Sequence, residues 1–311
     1  MQIYMAAVYT NSYMRGQNRY VKLTDREREI VHELPHILES WHYVGKQKYV
    51  DDMRREGAKV FLDSGAFSAY SLGVKLSVEE YCQYIQRNRD IIRVEDGALM
   101  ASVLDGIGDA LQTWRNQLEM ECRGVRPLPC FHFNEDTRYL DWYVERYDYI
   151  TLGGMVGAST EQLRNWLERV WENHLLDGAG RAKIKVHGFG ITAIPLMQEF
   201  DWYSCDSSSW IQSAAFGSIV HPKWGPLSVS EKSPSRHDKG QHVTTVTDIE
   251  KEAIFQDLEE TGFNYERLSQ VYESRAAYNL YGFGKINEQM NINRRTNYRN
   301  GKRQDLFGTV E

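Results

Sequence analysis

Short apolar runs alternate with helix-length segments along most of this chain, and this alternation constrains its fold more than any other feature. The apolar runs lie at residues 1–8, 58–63, 98–105, 126–133, 149–154, 183–186 and 202–206, with an eighth expected near 217–220. Strands separated by helices are typical of βαβ units and a parallel sheet. Seven or eight such units predict an α/β fold, namely a TIM-type (β/α)8 barrel. A doubly wound sheet is the alternative, but the Gly-x-Gly-x-x-Gly fingerprint is missing after the first run.

Three of these runs end in an aspartate, at Asp63, Asp105 and Asp206. The C-terminal ends of barrel strands meet at one rim, where the chemistry of such enzymes collects. A single aspartate at a strand end is more often a helix N-cap. Three together favour a catalytic site, because carboxylates that share a pocket push their pKa values apart. One attacking carboxylate and one proton-transferring carboxylate suit displacement at the anomeric carbon of a sugar.

The chain divides into an expected barrel at 1–221 and an appended region at 222–311. Residues 24–49 mix charged and apolar side chains around Pro35, which predicts broken helix. Residues 222–242 are rich in Pro, Ser, Lys, Arg and His and predict a loop or lid. Residues 248–280 predict helices. We expect this helical appendage, with the basic tail at 294–303, to pack on the barrel.

Composition excludes several classes of protein. The four cysteines have no Cys-x-x-Cys spacing, so neither a disulfide framework nor a thiolate zinc site is predicted. A formal net charge of −6 argues against a protein that coats nucleic acid by charge alone. No apolar run approaches the roughly 20 residues that a membrane span needs. We therefore expect a soluble protein with reduced thiols in a cytoplasm.

Four motifs in the middle of the chain resemble those of one enzyme family. Leu62-Asp-Ser-Gly-Ala-Phe-Ser-Ala-Tyr-Ser-Leu-Gly73 resembles the Asp-Ser-Gly-Gly-Phe-Gln motif of the queuine and archaeosine tRNA-guanine transglycosylases. Leu152-Gly-Gly-Met-Val-Gly157 is similar to their Gly-Gly-Leu-Ala-Val-Gly loop. His187-Gly-Phe-Gly190, followed by Asp206 in Trp202-Tyr-Ser-Cys-Asp, resembles their Met-Gly-Val-Gly and the downstream Phe-Asp nucleophile. Order and spacing agree over about half of the chain.

The resemblance implies a role for each matching residue. Asp206 would be the nucleophile at C1′, Asp63 the general acid and base, and Asp105 the reader of the guanine edge. The rest of the base pocket would come from Ser64, His132, Gly153, Gly154, Met155, His187 and Gly188. Of these, His132 stands where the family usually has a glutamine, and His187 where it has a methionine that covers the base. Each histidine is equally consistent with a purely structural role.

The region after Asp206 departs from the tRNA enzymes. They carry a Cys-x-Cys-x-x-Cys…His zinc subdomain there, whereas this sequence has no cysteine beyond Cys205. Loss of the zinc element with retention of the pocket resembles the 7-deazaguanine DNA transglycosylases of phages and bacterial DNA-modification systems. This resemblance implies exchange of guanine in DNA for a free 7-deazaguanine base such as preQ0, without a cofactor, and we assign no metal ligand. A homodimer or an accessory protein remains open.

Two other classes of function are kept as alternatives. A tRNA-guanine transglycosylase with a divergent C-terminal region is the nearer one, and a glycoside hydrolase-like barrel is the more remote one. A polymer substrate requires elements that hold its backbone by charge or its bases by stacking. The candidates for these contacts are Tyr13, Arg236, Lys239, Arg295 and Arg299. For the tail, a solvated terminus is an equally good explanation.

Overall fold

The computed structural model of the chain describes residues 1–10 and 18–299, with 18–19 and 293–299 described by their backbone alone. The described residues form two compact units, one of Gln2–Gln212 and one of Met1 with the chain from Ser213 onward. None of the helices in this part of the chain is long and apolar enough to cross a membrane.

The strands, in chain order, are β1 (Gln2–Ala6), β2 (Ile37–Ser40), β3 (Val60–Asp63), β4 (Val94–Glu95), β5 (Ala98–Leu99), β6 (Cys130–His132), β7 (Tyr149–Gly153), β8 (Lys185–Gly188), β9 (Ser204–Ser207), β10 (Ser218–His221) and β11 (Gly225–Ser228). The α-helices are α1 (Asp25–His32), α2 (Trp41–Val44), α3 (Gln47–Arg55), α4 (Ala66–Ser71), α5 (Val78–Arg87), α6 (Ala110–Cys122), α7 (Thr137–Arg146), α8 (Thr160–Val170), α9 (Ile194–Glu199), α10 (Ser209–Ala215), α11 (Asp248–Glu260), α12 (Tyr265–Gln270) and α13 (Tyr272–Arg299). Short 3₁₀ turns lie at Asn18–Lys22 and Arg89–Ile91, and a π-helical turn at Trp171–Leu175.

Seven strands of the larger unit form one parallel sheet in the order β3-β2-β1-β9-β8-β7-β6. One or more helices follow each of these strands, which confirms the predicted α/β fold. The broken helix predicted for 24–49 is confirmed at α1, α2 and the beginning of α3, but it is wrong at Ile37–Ser40, where β2 lies between β1 and β3. This strand has only four residues, Ile-Leu-Glu-Ser, and is too short to show a clear period of two.

A further segment, residues 100–103, connects the two edge strands of this sheet. Leu62 in β3 donates its N–H to the carbonyl of Met100, and Ser102 donates its own to the carbonyl of Leu62. On the other side, Val103 donates its N–H to the carbonyl of Leu128, which lies just before β6, and Leu128 donates its own N–H to the carbonyl of Ala101. The segment thus occupies the position between β3 and β6, and it leads directly to Asp105.

Alternate residues of the strands pack into one apolar cluster. Side chains at i and i+2 point to the same face of a strand. The cluster is formed by Tyr4, Ala6, Leu38, Phe61, Met100, Leu128 and Tyr149, which are all buried. Two residues further along, the same face of β2, β3 and β6 carries Ser40, Asp63 and Cys130. The apolar cluster is therefore followed, toward the carboxyl ends of these strands, by polar side chains.

The smaller unit pairs a two-stranded antiparallel sheet with the C-terminal helices. The strand expected near 217–220 exists as β10, but its partner is β11, and it is not a member of the parallel sheet. Asn279 in α13 accepts a hydrogen bond from the N–H of Val220, and a Cβ on Gly282 would lie 2.1 Å from the Val220 carbonyl oxygen. The helix therefore contacts the strand directly. The helices predicted for 248–280 are confirmed, whereas the loop or lid predicted at 222–242 contains β11 and the buried residue His242.

Candidate functional site

The polar residues singled out from the sequence gather at the carboxyl ends of the parallel strands. Asp63 ends β3, His132 ends β6, and His187 and Asp206 lie in the neighbouring strands β8 and β9. Asp105 follows the 100–103 segment. This is the edge at which parallel α/β proteins bind ligands and perform chemistry.

Asp63 is held by hydroxyl and amide donors on three sides. Its Oδ2 accepts hydrogen bonds from Ser40 Oγ at 2.6 Å and from the N–H of Gly65 at 3.0 Å. Ser102 Oγ donates to Oδ1 at 3.4 Å. The pKa of Asp63 is raised to about 6, mainly by burial and also by the charges of Asp105 and Asp206, against the Ser40 hydrogen bond. At neutral pH this carboxyl group is close to its titration point, as a proton-transfer group should be.

Ser64, directly after Asp63, is fully buried. Its backbone N–H donates to Ser102 Oγ at 3.0 Å, so the Ser102 hydroxyl contacts both Asp63 and Ser64. Its own Oγ accepts the N–H of Ala66 at 3.3 Å, at the beginning of α4. Gly65 between them has φ of +74°, and a Cβ there would lie 2.6 Å from Cβ of His42. The motif after β3 therefore requires a glycine at this turn.

Asp206 is a buried carboxylate, 7% exposed, in the middle of β9. The backbone N–H of Gly190 donates to its Oδ1 at 2.8 Å. This bond partly offsets the cost of burying a charge. It also fixes the orientation of the other carboxylate oxygen. The loop after β8 therefore positions Asp206, for which the motif resemblance implies the role of nucleophile.

His187 is fully buried beside Asp206, among aromatic rings. Its ring centroid lies 4.7 Å from those of Phe61 and Phe189, and its Nδ1 lies 2.6 Å from Ser204 Oγ. Nε2 is 3.4 Å from Asp206 Oδ1, but the pair lacks hydrogen-bond geometry. Burial lowers the pKa of His187, in opposition to Asp206, so its imidazole is neutral at neutral pH. A neutral ring in this position can cover an apolar ligand face without adding charge.

Asp105, Cys130 and His132 form a second cluster at the same edge. His132 Nε2 lies 3.4 Å from Asp105 Oδ1 and 3.5 Å from Cys130 Sγ. On its other side, Nδ1 lies 3.0 Å from Glu135 Oε1, and Glu135 Oε2 accepts the backbone N–H of His132 at 2.9 Å. Glu135 thus fixes both the backbone and the ring of the histidine.

Burial and the neighbouring groups act in opposite directions on the pKa of His132. Burial lowers the pKa of His132, but Cys130 and Asp105 outweigh burial and raise it overall. Burial raises the pKa of the Cys130 thiol to about 11, so that thiol is neutral at neutral pH.

The glycines of the predicted base pocket are required by their neighbours. A Cβ on Gly153 would lie 3.0 Å from Cys130 Sγ, and one on Gly154, whose φ is +70°, would lie 2.9 Å from Cβ of His132. A Cβ on Gly188 would instead collide with Ile191 and Trp202 at 2.7 and 2.9 Å. Gly153 and Gly154 therefore leave room for the His132 cluster, and Gly188 leaves room for Trp202. Met155, the next residue, is buried.

A cavity of about 540 Å³ opens beside Asp105. Its walls come from α4 with the loop that follows it, from the loop after the 100–103 segment and from α6, and they include Tyr70, Leu104 and Asn116. Of the three aspartates, Asp105 alone is in its lining. Its volume is in the range of small-molecule sites. The cavity thus adjoins the Asp105 side of the cluster.

The structure describes only part of the predicted nucleic-acid contacts. Tyr13 lies outside the described residues, and Arg295 and Arg299 lie in α13 where only the backbone is described. Arg236 and Lys239 are exposed in the smaller unit, and Arg236 donates a hydrogen bond to the carbonyl of Glu231 at 3.2 Å.

Four residues with contacts in the site were not singled out from the sequence: Ser40, Ser102, Cys130 and Glu135. Cys130 and His132 are two residues apart in a predicted strand, which places them on one face. That spacing was the available signal for the pair. Ser40 lies in the unpredicted strand β2, and Ser102 contacts Asp63 only because the 100–103 segment pairs with β3.

Comparison with known proteins adds no identification. No protein-family model matches this chain, and no curated protein is significantly similar to it.

Proposed function

We propose that the chain is a base-exchange transglycosylase that replaces guanine in DNA with a free 7-deazaguanine base. The observation that carries this proposal is the grouping of Asp63, Asp105 and Asp206, in which the other two charges contribute to a pKa of about 6 for Asp63. We further propose that the 100–103 segment completes the parallel sheet as the eighth strand of a (β/α)8 barrel. The edge-to-edge bonds at Leu62 and Leu128 support this closure.

In the proposed reaction, Asp206 attacks C1′ of the target deoxyribose and the bond to guanine breaks. The Gly190 N–H, bound to Oδ1, leaves the second oxygen oriented for attack. The resulting ester between Asp206 and the sugar conserves the energy of the glycosidic bond. The incoming base then displaces Asp206. Two inversions give net retention of configuration, and no nucleotide energy is required.

Asp63 is proposed to supply and recover the proton. Its pKa of about 6 allows it to protonate the departing guanine and, as a carboxylate, to accept a proton from the incoming base. Ser40 and Gly65 hold one oxygen in place during both steps. The group therefore changes its protonation state without moving.

The base is proposed to bind between Asp105 and the glycine pair after β7. Asp105 would accept hydrogen bonds from the guanine edge, and Ser64, Gly153, Gly154 and Met155 would border the plane of the base. Burying polar groups in such a pocket gives strong discrimination, because a wrong base leaves them unpaired. A stacked guanine cannot reach this edge, so the nucleotide must be single-stranded or flipped out, at a cost of a few kcal/mol.

The substrate polymer is assigned to DNA because the tRNA enzymes' cysteine cluster is missing after Cys205. Purified protein should exchange ¹⁴C-guanine or preQ0 into DNA and not into unmodified tRNA. Efficient exchange into tRNA with none into DNA would assign the chain to the tRNA branch. Exchange into neither, with release of sugar from glycosides, would favour the glycoside hydrolase alternative.

The nucleophile is tested by Asp206→Asn, which should abolish exchange and remove the covalent protein–DNA adduct. Asp148→Asn is the matched control, because Asp148 is exposed on the chain before β7. Circular dichroism should show that both variants are folded. Near-normal exchange by Asp206→Asn would show that another group is the nucleophile.

A further inference from the structure

The ligand atoms of Asp105, Cys130 and His132 converge on one point. All three lie within 4.8 Å of one another, and His132 Nε2 is 3.4 Å from Asp105 Oδ1 and 3.5 Å from Cys130 Sγ. The thiol of Cys130 is buried, and both other side chains are almost 90% buried. A carboxylate, a thiol and an imidazole in this arrangement are a common ligand set for a transition metal.

Two of the three distances between these atoms fit a tetrahedral ion, and the third is within 4.8 Å. With a Zn–S bond of about 2.3 Å and Zn–N and Zn–O bonds of about 2.0–2.2 Å, neighbouring ligand atoms lie about 3.3–3.6 Å apart. The two measured separations fall in this range. A direct hydrogen bond between a ring nitrogen and a carboxylate would be shorter, at about 2.7–2.9 Å.

Glu135 orients the histidine in the way that carboxylates next to zinc-bound histidines do. Its Oε1 lies 3.0 Å from His132 Nδ1, which leaves Nε2 facing Asp105 and Cys130. Metal-bound histidines usually donate their other ring N–H to a carboxylate or carbonyl in this way. Here the carboxylate belongs to the turn after β6, and it also binds the backbone N–H of His132.

Asp105 Oδ1 is buried and has no hydrogen-bond partner in the described part of the chain. An unsatisfied buried carboxylate oxygen costs stability unless a cation faces it. Gly153 contributes the space beside the cluster, since a Cβ there would lie 3.0 Å from Cys130 Sγ. The site thus combines an unsatisfied acceptor at Asp105 Oδ1, a sulfur ligand at Cys130 and the space beside Cys130 that Gly153 leaves.

We propose that Asp105, Cys130 and His132 bind one Zn²⁺ ion, with Glu135 as the orienting partner of His132. Three protein ligands leave a fourth position for water or for an atom of a bound molecule, as in catalytic zinc sites. The thiolate selects Zn²⁺ over Mg²⁺ and Ca²⁺, which prefer oxygen ligands. The proposal goes beyond the transglycosylase function and does not depend on it.

The test is a metal titration of the full chain in the absence of DNA and base. Protein stripped by a chelator under reducing conditions should bind one equivalent of Zn²⁺, measured by elemental analysis after gel filtration. Bound Co²⁺ should show a thiolate-to-metal charge-transfer band. Cys130→Ser should lose this band, and His132→Gln should lose stoichiometric binding. Cys82→Ser, at another buried free thiol, and His174→Gln, at a histidine paired with Asp141, should retain both properties.

Glu135→Gln should weaken Zn²⁺ binding by about 10–100-fold, since it removes only the orienting charge. Thermal melting monitored by circular dichroism separates loss of ligand from loss of fold. Less than half an equivalent of Zn²⁺ in the wild-type chain would overturn the proposal, as would full binding by both Cys130→Ser and His132→Gln. Zinc binding without base exchange would leave this inference intact and contradict the proposed function, and exchange without zinc binding would do the reverse.

Discussion

The hydroxyl of Ser40 donates a 2.6 Å hydrogen bond to Oδ2 of Asp63, between residues paired in register in β2 and β3. The bond favours the carboxylate, whereas burial favours the neutral acid. The pKa of about 6 is therefore a balance between a strand neighbour and desolvation. Replacing Ser40 should therefore change the pKa of Asp63 without changing the position of its carboxyl group.

Ser40→Ala should raise the pKa of Asp63 by about one to two units, because a charge-assisted hydrogen bond contributes roughly 1.5–3 kcal/mol and one pKa unit corresponds to about 1.4 kcal/mol. If Asp63 transfers the proton, the inflection near pH 6 in the pH profile of base exchange should shift to higher pH. Ser71→Ala, at an exposed hydroxyl that binds the Phe67 carbonyl, is the control. An unchanged profile would exclude Asp63 as the titrating group.

Asp63→Asn and Asp105→Asn should have different kinetic effects. Loss of a proton-transfer group lowers turnover by about 10²–10⁴-fold. Loss of the group that reads the base should also change the preference among guanine, preQ0 and adenine, because pocket groups are left unpaired. Steady-state kinetics with each labelled base would measure both effects. Equal losses of turnover with unchanged base preference would contradict this division of roles.

Glu39→Gln should stabilise the protein at alkaline pH. Glu39 is fully buried, and burial raises its pKa to about 8, against the hydrogen bond from the N–H of Tyr9. The folded state therefore keeps a proton that the unfolded chain loses above its ordinary pKa of 4.5. Stability from this group is present below pH 4.5 and declines up to pH 8, by no more than about 5 kcal/mol. Urea unfolding at pH 5 and 8.5 should show a larger gain for the variant at pH 8.5.

Two glycines of α13 should respond in opposite ways to alanine. Gly282→Ala should destabilise the protein by about 1–3 kcal/mol, since its Cβ would lie 2.1 Å from the Val220 carbonyl oxygen. Gly284→Ala places its Cβ in open space and should stabilise the helix by up to about 1 kcal/mol. Thermal unfolding of the two variants measures both values. Equal effects would mean that α13 does not contact β10 through Gly282.

The parts of the fold and site predicted from sequence share one property: each depends on residues close together in the chain. The strands that carry Asp63 and Asp206, and the helices between them, follow from local apolar periodicity. The hydrogen bond from Ser40 to Asp63 and the pairing of the 100–103 segment with β3 depend on which segments become neighbours in space. No local pattern specifies those neighbours. The same reason explains why Cys130 and His132 were visible as one face of a strand, while their convergence with Asp105 was not.

The 100–103 segment joins β3 to the chain before β6 through isolated bridges, and four backbone hydrogen bonds make this connection. Regions with few such bonds are where amide hydrogens exchange with water at the smallest opening free energy. Asp105 follows two residues after Val103, so any opening here carries it away from Asp63. We thus expect the 100–103 segment to open locally while the seven strands of the parallel sheet stay paired. Such opening would change the distance between the Asp63 and Asp105 carboxylates. We therefore expect the geometry of the site to be lost at a lower free energy than the fold.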